Sequence, residues 1–345
     1  MSKVVHNITL LIDSRDFGGI ETHVAHLAKG LFQQGHKVEI ILMKDYGLHP
    51  VFEEDGFLRS ILVKLNGSLF NLYQTLKHSK SDIIHTHGYK AGIIGRSLCK
   101  VLSKTVVSTF HSGEKGNLKV QFYCWLDRFT AKRVPCISVS KEISKTLNAS
   151  SEIIQNFVDI PSQPYSLSDG NEVAFVGRFS HEKGPDNFIE LAKALPEYNF
   201  SMYGSGPLFD EINSARPDNV KLVGQVKSMV PYWHRIKFLC ITSREEGLPL
   251  VALEAMACGI PVVTFDVGGL STVVQNRVNG WLVPPQRLDF FIKIIKCAHR
   301  LTLHEHRKYS LNSTTLVISN FSTNVVIPRI FNFYSRAIIG SPDAE

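Results

Sequence analysis

Two glutamates, Glu246 and Glu254, enclose the seven residues GLPLVAL. Glu246 lies in a predicted loop, and Glu254 falls in the second turn of a predicted helix, on a face that is otherwise apolar. The free N–H groups at a helix start, together with the helix dipole, favour an anion such as phosphate. A carboxylate repels bound phosphate unless hydroxyl groups lie between them. The pair therefore indicates a ligand with phosphate and several hydroxyls, which describes a sugar nucleotide.

A simpler interpretation of both acids stays open at this point. Glu246 is compatible with an ordinary solvent-exposed acid in a loop. Glu254 is compatible with an acid near a helix start that complements the helix dipole. Their spacing alone does not decide between the two interpretations.

A strand, a turn, a helix and a second strand position these acids. The apolar runs 238–241 and 260–264 predict two buried strands. Between them, Gly247 gives a turn, Pro249 suits the first helical position, and apolar residues recur at helical spacing until Gly259. In an open parallel sheet, ligands bind at the carboxyl ends of the strands. The predicted helix begins at that edge.

Two cations, Arg178 and Lys183, lie five residues apart in a predicted strand-to-helix loop that ends at Gly184. A guanidinium binds an anion in bidentate fashion, and an ammonium acts as a point charge. The two residues together predict a site for one anion. A basic surface loop is the alternative that their spacing leaves open.

Two stretches resemble one known family. The sequence EGLPLVALEAMACGIPVV closely resembles the E-x7-E element of retaining glycosyltransferases with the GT-B fold, specifically family 4 (group 1), and GRFSHEKG resembles the G-R-x-x-x-x-K-G element of that family. The resemblance covers nearly the whole chain and is strongest over residues 173–285. It implies an α/β protein of the GT-B class, in which two Rossmann-like domains face each other across a cleft.

The resemblance also implies a division of the chain. Residues 1–160 are expected to form an acceptor-binding domain, and residues 161–320 a nucleotide-sugar-binding domain. A helix at about 321–340 is expected to pack back on the first domain, with Pro328 kinking or interrupting it. The stretch 156–172 is rich in Pro, Ser, Asp and Gly, which is typical of an interdomain linker.

By resemblance, most site residues fall in the second domain. Arg178 and Lys183 neutralise the leaving diphosphate, Glu254 holds the ribose diol, and Glu246 holds the donor sugar. The residues after Glu246 that are expected to bind the donor, mainly through backbone, are Gly247, Leu248, Pro249 and Leu250. Those expected to line the nucleotide base are Gly204, Gly224 and Val226.

A glycine pair, Gly18 and Gly19, follows the first predicted strand, residues 8–12, and precedes a predicted helix. It does not form G-x-G-x-x-G, so it gives no dinucleotide fingerprint. Most such pairs are simply turns. In the family that the chain resembles, however, this loop approaches the donor diphosphate and the acceptor.

Three histidines, His85, His87 and His111, fall at or near the carboxyl ends of predicted strands. Histidines at such positions often have only a structural role. VSTFHS resembles the family's segment in which a histidine reaches the donor sugar, so His111 is expected to contact sugar hydroxyls or the reacting centre. Ser112 departs from the His-Asp pair that is frequent there.

Composition limits the class of protein. The chain has 345 residues, 44% apolar and 20% charged, which suits a soluble globular protein with two cores. It has no apolar run near membrane-spanning length and no signal peptide at its start, which predicts a cytoplasmic location. Its six cysteines include no C-x-x-C pair, so buried free thiols are expected, and neither a zinc site nor a disulfide framework.

The net charge of +7 is unevenly distributed, with 20 Lys and Arg against 14 Asp and Glu in residues 1–160, and 18 against 17 in the remainder. Nucleic acid, an anionic membrane, a phosphorylated acceptor or plain solubility would each explain a basic first half. Residues 113–133 interleave basic and aromatic side chains, which is compatible with a helix at a membrane interface or with a core helix that has one wet face.

The resemblance implies a retaining hexosyltransferase that moves a sugar from a nucleoside diphosphate sugar, with UDP favoured, to a hydroxyl in cell-surface polysaccharide, lipopolysaccharide or glycolipid assembly. The chain has no D-x-D triplet, so neither a metal nor a cofactor beyond the nucleotide sugar is expected. The other expected partners are a glycan or lipid-linked acceptor and peripheral contact with an anionic inner membrane face; no nucleic acid is expected. The alternatives are a GT-B epimerase of UDP-sugars and a non-catalytic GT-B subunit.

Overall fold

The computed structural model describes residues 5–13, 18–47, 49–111, 118–147, 149, 151–161 and 170–340. It divides into two compact units, one of residues 1–157 and 323–345 and the other of residues 158–322. The chain therefore enters the second unit three residues before the predicted boundary. Ser112 and residues 162–169 of the predicted linker lie outside the described residues.

The first unit has a sheet of seven parallel strands. They are β1 (Asn7–Ile12), β2 (Lys37–Leu42), β3 (Leu62–Lys64), β4 (Ile83–His87), β5 (Val106–Phe110), β6 (Cys136–Ser138) and β7 (Ser151–Ile153). Their order across the sheet is β3-β2-β1-β4-β5-β6-β7. The order reverses between β1 and β4, as in a doubly wound fold.

Helices connect these strands. They are α1 (Gly19–Gln33), α2 (Pro50–Glu53), α3 (Gly56–Ser60), α4 (Leu69–His78), α5 (Tyr89–Val101), α6 (Leu118–Thr130) and α7 (Lys141–Thr146), with a 3-10 turn at Ala131–Arg133.

The second unit has a sheet of six parallel strands. They are β8 (Glu172–Val176), β9 (Asn199–Tyr203), β10 (Val220–Gly224), β11 (Ile236–Ile241), β12 (Val262–Phe265) and β13 (Gly280–Val283). Their order is β10-β9-β8-β11-β12-β13. This is the strand order of the Rossmann fold, with the reversal between β8 and β11.

The helices of this unit are α8 (Pro185–Ala194), α9 (Phe209–Ala215), α10 (Leu250–Ala257), α11 (Leu288–His299) and α12 (Leu303–Asn320), with 3-10 turns at His181–Lys183, Trp233–Arg235 and Leu270–Thr272.

Strand β11 packs against a hydrophobic core on each face of this sheet. Its residues alternate between two cores, because successive side chains of a strand point to opposite faces. Leu239 and Ile241 lie in the core that includes α10. Phe238 and Cys240 lie in the core that includes α8 and α11. An apolar run without polar alternation is typical of such a buried parallel strand.

The start of α10 differs by one position from the prediction. Pro249 was expected at the first helical position, but its ψ of 128° is extended and the helix begins at Leu250. Pro249 is therefore the residue that precedes the helix. Its fixed φ is compatible with both positions, so the sequence could not separate them.

The last helix, α13 (Thr323–Ile339), belongs to the first unit. It lies so close to α1 that a Cβ on Gly30 would be 2.5 Å from the Ile327 side chain. The hydroxyl of Tyr334 lies 2.6 Å from Nδ1 of His85 in β4. The C-terminal segment is thus part of the core of this unit.

Pro328 was expected to kink or interrupt the last helix; it lies inside α13 without interrupting it, so the second of these alternatives is wrong. A proline in a helix removes one backbone hydrogen bond. Buried side chains on both sides of it, Ile327 and Ile330, pack in the core of the first unit. Their burial offsets the lost bond and keeps the helix continuous.

The six cysteine side chains are thiols, and they are not all buried. Cys124 is partly buried and Cys297 is exposed on α11, whereas the other four are buried. The expectation of burial is therefore wrong for Cys297, because the apolar run around it is one face of an amphipathic helix whose other face is exposed.

No helix among the described residues is both long and apolar enough to cross a bilayer.

Gly268, in the turn after β12, gives a test of the local packing. It has a φ of +58°, and a Cβ there would lie 1.9 Å from the carbonyl oxygen of Glu246. Gly224 has a φ of +83°, but a Cβ added there would have no neighbouring atom within 4 Å. We expect Gly224→Ala to cost about 1–2 kcal/mol of unfolding free energy through backbone strain alone. We expect Gly268→Ala to cost about 1–3 kcal/mol more through the clash.

Urea unfolding of the two variants measures this difference. Equal losses in both variants would contradict the packing of Gly268 against the loop that carries Glu246.

Candidate active site

The two sequence motifs meet at the point where the order of the second sheet reverses. β8 and β11 are neighbours there, and each is followed by a loop at its carboxyl end. The loop after β8 carries Arg178 and Lys183, and the loop after β11 carries Glu246 and Gly247. In open α/β sheets this switch point is where ligands bind.

Lys183 and Glu246 form an ion pair across the two loops. The Lys183 ammonium lies 2.9 Å from Oε1 and 2.8 Å from Oε2 of Glu246. The Ser243 hydroxyl donates to Oε1 at 2.7 Å. The Glu246 side chain is 5% exposed and that of Lys183 is 28% exposed. A nearly buried carboxylate thus has its charge balanced by a cation that solvent can reach.

Both residues were expected in the site from the sequence, but their pairing was not predicted. The lysine was assigned to a phosphate and the glutamate to a sugar. The missed signal is topological: opposite charges follow two strands that become neighbours in this strand order.

Further hydrogen bonds connect the segments that follow the same two strands. The Thr242 hydroxyl donates to the carbonyl oxygen of Gly184 at 2.7 Å. Gly184 has a φ of +63°, and a Cβ there would lie 2.2 Å from the Thr242 carbonyl oxygen. The Arg244 guanidinium donates to both carboxylate oxygens of Asp186, which lowers the pKa of that carboxyl. The loops can therefore approach closely only with glycine at position 184.

The loop before α10 offers backbone rather than side chains. Leu248 and Leu250 are buried in the core, so their side chains face away from solvent. The N–H of Gly269 donates to the Gly247 carbonyl oxygen at 2.6 Å and supports the loop from the next strand. Glu254 is partly buried in the second turn of α10. A ligand at this helix start would contact N–H groups first.

The remaining predicted residues of this unit lie along the same edge. Arg178 is exposed on the loop that also carries Lys183. The N–H of Gly204, after β9, donates to the carbonyl oxygen of Gly224, at the end of β10, at 2.8 Å. Val226 is partly buried against the core. Together with Glu246 and the loop after β11, they lie at the carboxyl ends of four adjacent strands, β10, β9, β8 and β11.

The other predicted site residues, Gly18, Gly19 and His111, belong to the first unit. Gly18 precedes α1, and its carbonyl oxygen accepts hydrogen bonds from the Thr22 N–H and hydroxyl. Gly19 is exposed at the first position of that helix. Their predicted contacts with the donor stay predictions.

His111 lies in a cluster of three imidazole rings. It follows β5, His87 ends β4, and His23 comes from α1. Nδ1 of His87 lies 3.1 Å from Nε2 of His111, and the ring centroids of His23 and His111 are 4.6 Å apart. His23 was not among the predicted site residues, because a histidine among apolar helix residues gives no signal of its own.

Burial controls the charge of this cluster. It lowers the pKa of His23 and His87 well below the ordinary value, and lowers the pKa of His111 to about 3. The rings are therefore neutral at pH 7. His85 differs from them because both of its nitrogens have partners, the Tyr334 hydroxyl at 2.6 Å and the Thr109 hydroxyl at 2.7 Å. Its role in this unit is structural.

Comparison with known proteins decides the family. Residues 17–160 match the family described as Glycosyltransferase Family 4, and residues 170–299 match Glycosyl transferases group 1. The chain is 30% identical over 273 residues to the Escherichia coli UDP-Gal:alpha-D-GlcNAc-diphosphoundecaprenol alpha-1,3-galactosyltransferase, covering 68% of this chain and 70% of that protein. The chain belongs to the group 1, family 4 glycosyltransferases. The predicted family is confirmed.

Two further similarities agree with this assignment. An uncharacterized glycosyltransferase of Methanocaldococcus jannaschii is 28% identical over 294 residues, 77% of this chain and 80% of that protein. The crystal structure of Anabaena HepE with UDP-glucose superposes with a TM-score of 0.83 at 19% identity, over 96% of this chain and 100% of that one. This likeness confirms the predicted GT-B fold class of the glycosyltransferase.

The Lys183–Glu246 pair gives a test of the site's stability. Lys183→Ala leaves a nearly buried carboxylate without its cation, so we expect a loss of about 1–3 kcal/mol of unfolding free energy. Lys193→Ala is the control, because Lys193 pairs with Glu190 at the same 2.8 Å but on the surface. We expect that change to cost less than about 0.5 kcal/mol. Urea unfolding at pH 7 compares them, and similar losses would argue against a buried charge pair.

Proposed function

We propose that this glycosyltransferase moves a hexose from a UDP-sugar to a hydroxyl of a lipid-linked glycan, with retention at the anomeric carbon and without a metal ion at the diphosphate. The observation that supports this proposal best is the placement of Lys183 and Glu246 together at the switch point, beside the start of α10. Such a site offers positive charge and N–H groups to a diphosphate, and a carboxylate to sugar hydroxyls.

Two similarities favour UDP as the nucleotide. The E. coli relative is named for a UDP-Gal donor, and HepE was crystallised with UDP-glucose. In our proposal Lys183 and Arg178 bind the diphosphate, and Glu254 accepts hydrogen bonds from the ribose diol. Gly204, Gly224 and Val226 border the base.

The proposed reaction forms one bond and breaks one bond at the anomeric carbon of the sugar. The acceptor oxygen forms a bond to the anomeric carbon, while the bond from that carbon to the β-phosphate oxygen breaks. The bonding electron pair stays on the phosphate, and the same phosphate takes the acceptor's proton on the same face. Lys183 and Arg178 stabilise the charge that develops there, which preorganised cations do without a divalent ion. Glu246 orients the lysine and accepts hydrogen bonds from the sugar.

A transfer assay tests this proposal. We would incubate the enzyme with UDP-, GDP- and ADP-sugars and a diphosphoundecaprenol-linked GlcNAc acceptor in EDTA, and read the anomeric configuration of the product by NMR. Lys183→Gln and Glu254→Gln should each lower kcat/KM by about 10²–10³. Lys193→Gln, a surface change in the same unit, should leave kcat/KM within about twofold.

Several results would overturn the proposal. Full activity in folded Lys183→Gln or Glu254→Gln would remove the assigned roles. A changed sugar released without acceptor would identify an epimerase instead. Inversion in the product or a requirement for a divalent ion would refute the proposed course of the reaction.

Helix α6 supports a lipid-linked acceptor. Its side chains Phe122, Trp125 and Phe129 are 58%, 58% and 54% exposed, and neighbouring rings stack at 6.0 and 5.7 Å. The Lys132 ammonium lies 5.1 Å from the Phe129 ring centroid. Exposed aromatic rings beside basic residues are typical of helices that bind at an anionic membrane interface. We therefore favour peripheral membrane contact over a core helix with one wet face.

Vesicle sedimentation tests this contact. We expect the enzyme to bind phosphatidylglycerol vesicles in preference to neutral ones. The double variant Trp125→Gln with Phe129→Gln should weaken that binding at least about tenfold, since each ring loses apolar burial in the interface. Phe70→Gln, which changes an exposed aromatic residue on α4, is the matched control. Equal binding to neutral vesicles, or unchanged binding by the double variant, would refute the membrane contact.

A further inference from the structure

Two neighbouring histidine rings of the first unit each have a buried nitrogen atom that lacks a hydrogen-bond partner. Nδ1 of His23 and Nε2 of His87 find none among the described residues. Both side chains are buried, at 3% and 0% exposure. Leaving a buried polar atom unsatisfied costs about 1–3 kcal/mol. Native proteins carry few such atoms, and an ion or a water is a common explanation for them.

The two histidines point to a site together with His111. One nitrogen from each of the three rings lies within 4.8 Å of the others. In a tetrahedral zinc site with Zn–N distances of about 2.0–2.1 Å, ligand nitrogens lie about 3.3–3.4 Å apart. Nδ1 of His87 and Nε2 of His111 are 3.1 Å apart, close to that spacing, whereas the unpartnered Nε2 of His87 lies across its ring and reaches the same point only after that ring turns over. Ring rotations within the cluster would complete it.

The three ligands come from well-fixed parts of one compact unit. His23 lies within α1, His87 ends β4, and His111 follows the adjacent strand β5. His85 packs against His87 with ring centroids 4.1 Å apart, and its own nitrogens are held by hydroxyl groups. The backbone positions of the three ligands are therefore set by α1 and by two adjacent strands, and the rings need only rotate to ligate one ion.

The type of ligand selects the type of metal. Neutral imidazole suits zinc and the neighbouring divalent transition ions, whereas magnesium and calcium prefer oxygen ligands. Three protein nitrogens leave a fourth position for water or an anion. His111 is only partly buried, which gives solvent a way in.

We propose that His23, His87 and His111 bind one divalent transition metal ion of the zinc class in the first unit. Its ligands belong to the first unit, whereas the diphosphate site is proposed on residues of the second, and the inference does not rest on the proposed transfer reaction. His111 is one of its ligands. The ion would therefore bind the imidazole that was expected to contact the donor sugar.

Direct metal binding tests the proposal without an activity assay. The full chain, prepared without a polyhistidine tag and freed of metal with EDTA, would be titrated with Co²⁺ by absorption spectroscopy and with Zn²⁺ by calorimetry. We expect one ion per chain and the visible bands of tetrahedral Co²⁺. His23→Gln and His111→Ala should each weaken Zn²⁺ binding at least about 10–100-fold, as loss of groups at metal sites does.

His85→Gln is the matched control, because it removes a buried histidine that packs against this cluster and whose nitrogens already have partners. It should bind Zn²⁺ within about threefold of the unchanged protein. Circular dichroism would establish which variants fold. If His23→Gln or His85→Gln does not fold, His111→Ala and the exposed His78→Gln on α4 replace them as test and control.

Absence of one-to-one binding by the unchanged protein would overturn the proposal. So would binding that is equally strong in a folded His111→Ala variant, since that would place the ion elsewhere.

Discussion

The close approach of the loops after β8 and β11 is the constraint on which the proposed donor site depends. Parallel strands that are neighbours at a reversal of order send their following segments to opposite sides of the sheet, which opens a crevice at this edge. Here the crevice is narrow, because Gly184 lets its loop lie against the Thr242 carbonyl. A side chain at position 184 would separate the two halves of the site.

That constraint also explains the charge arrangement. Glu246 can be nearly buried only because Lys183, from the other loop, lies within hydrogen-bond distance of both its oxygens. A carboxylate so placed would otherwise repel a diphosphate. With the pair in place, its net charge is near zero, and Arg178 and the N–H groups before α10 add the positive field that an anion needs. Recognition of phosphate and of sugar hydroxyls can therefore share one edge of the sheet.

Much of this fold followed from the sequence, because the apolar runs of parallel strands and the helical spacing between them are local signals. The same holds for the placement of Arg178, Lys183 and Glu246 in loops after strands, and of Glu254 in a helix. Contacts set by topology did not follow: nothing local pairs Lys183 with Glu246 or brings His23 from α1 to His87. The local rule on proline left open whether Pro328 kinks or interrupts its helix, because that rule takes no account of the core packing that keeps α13 continuous.

Hydrogen–deuterium exchange with and without UDP tests the central claim most directly, namely that the switch point of the second unit is the nucleotide site. Our account predicts that UDP slows exchange at the backbone amides of residues 177–184, 204–206 and 247–251, in the presence of EDTA. Protection confined to segments of the first unit, or no protection at a saturating concentration of UDP, would contradict it.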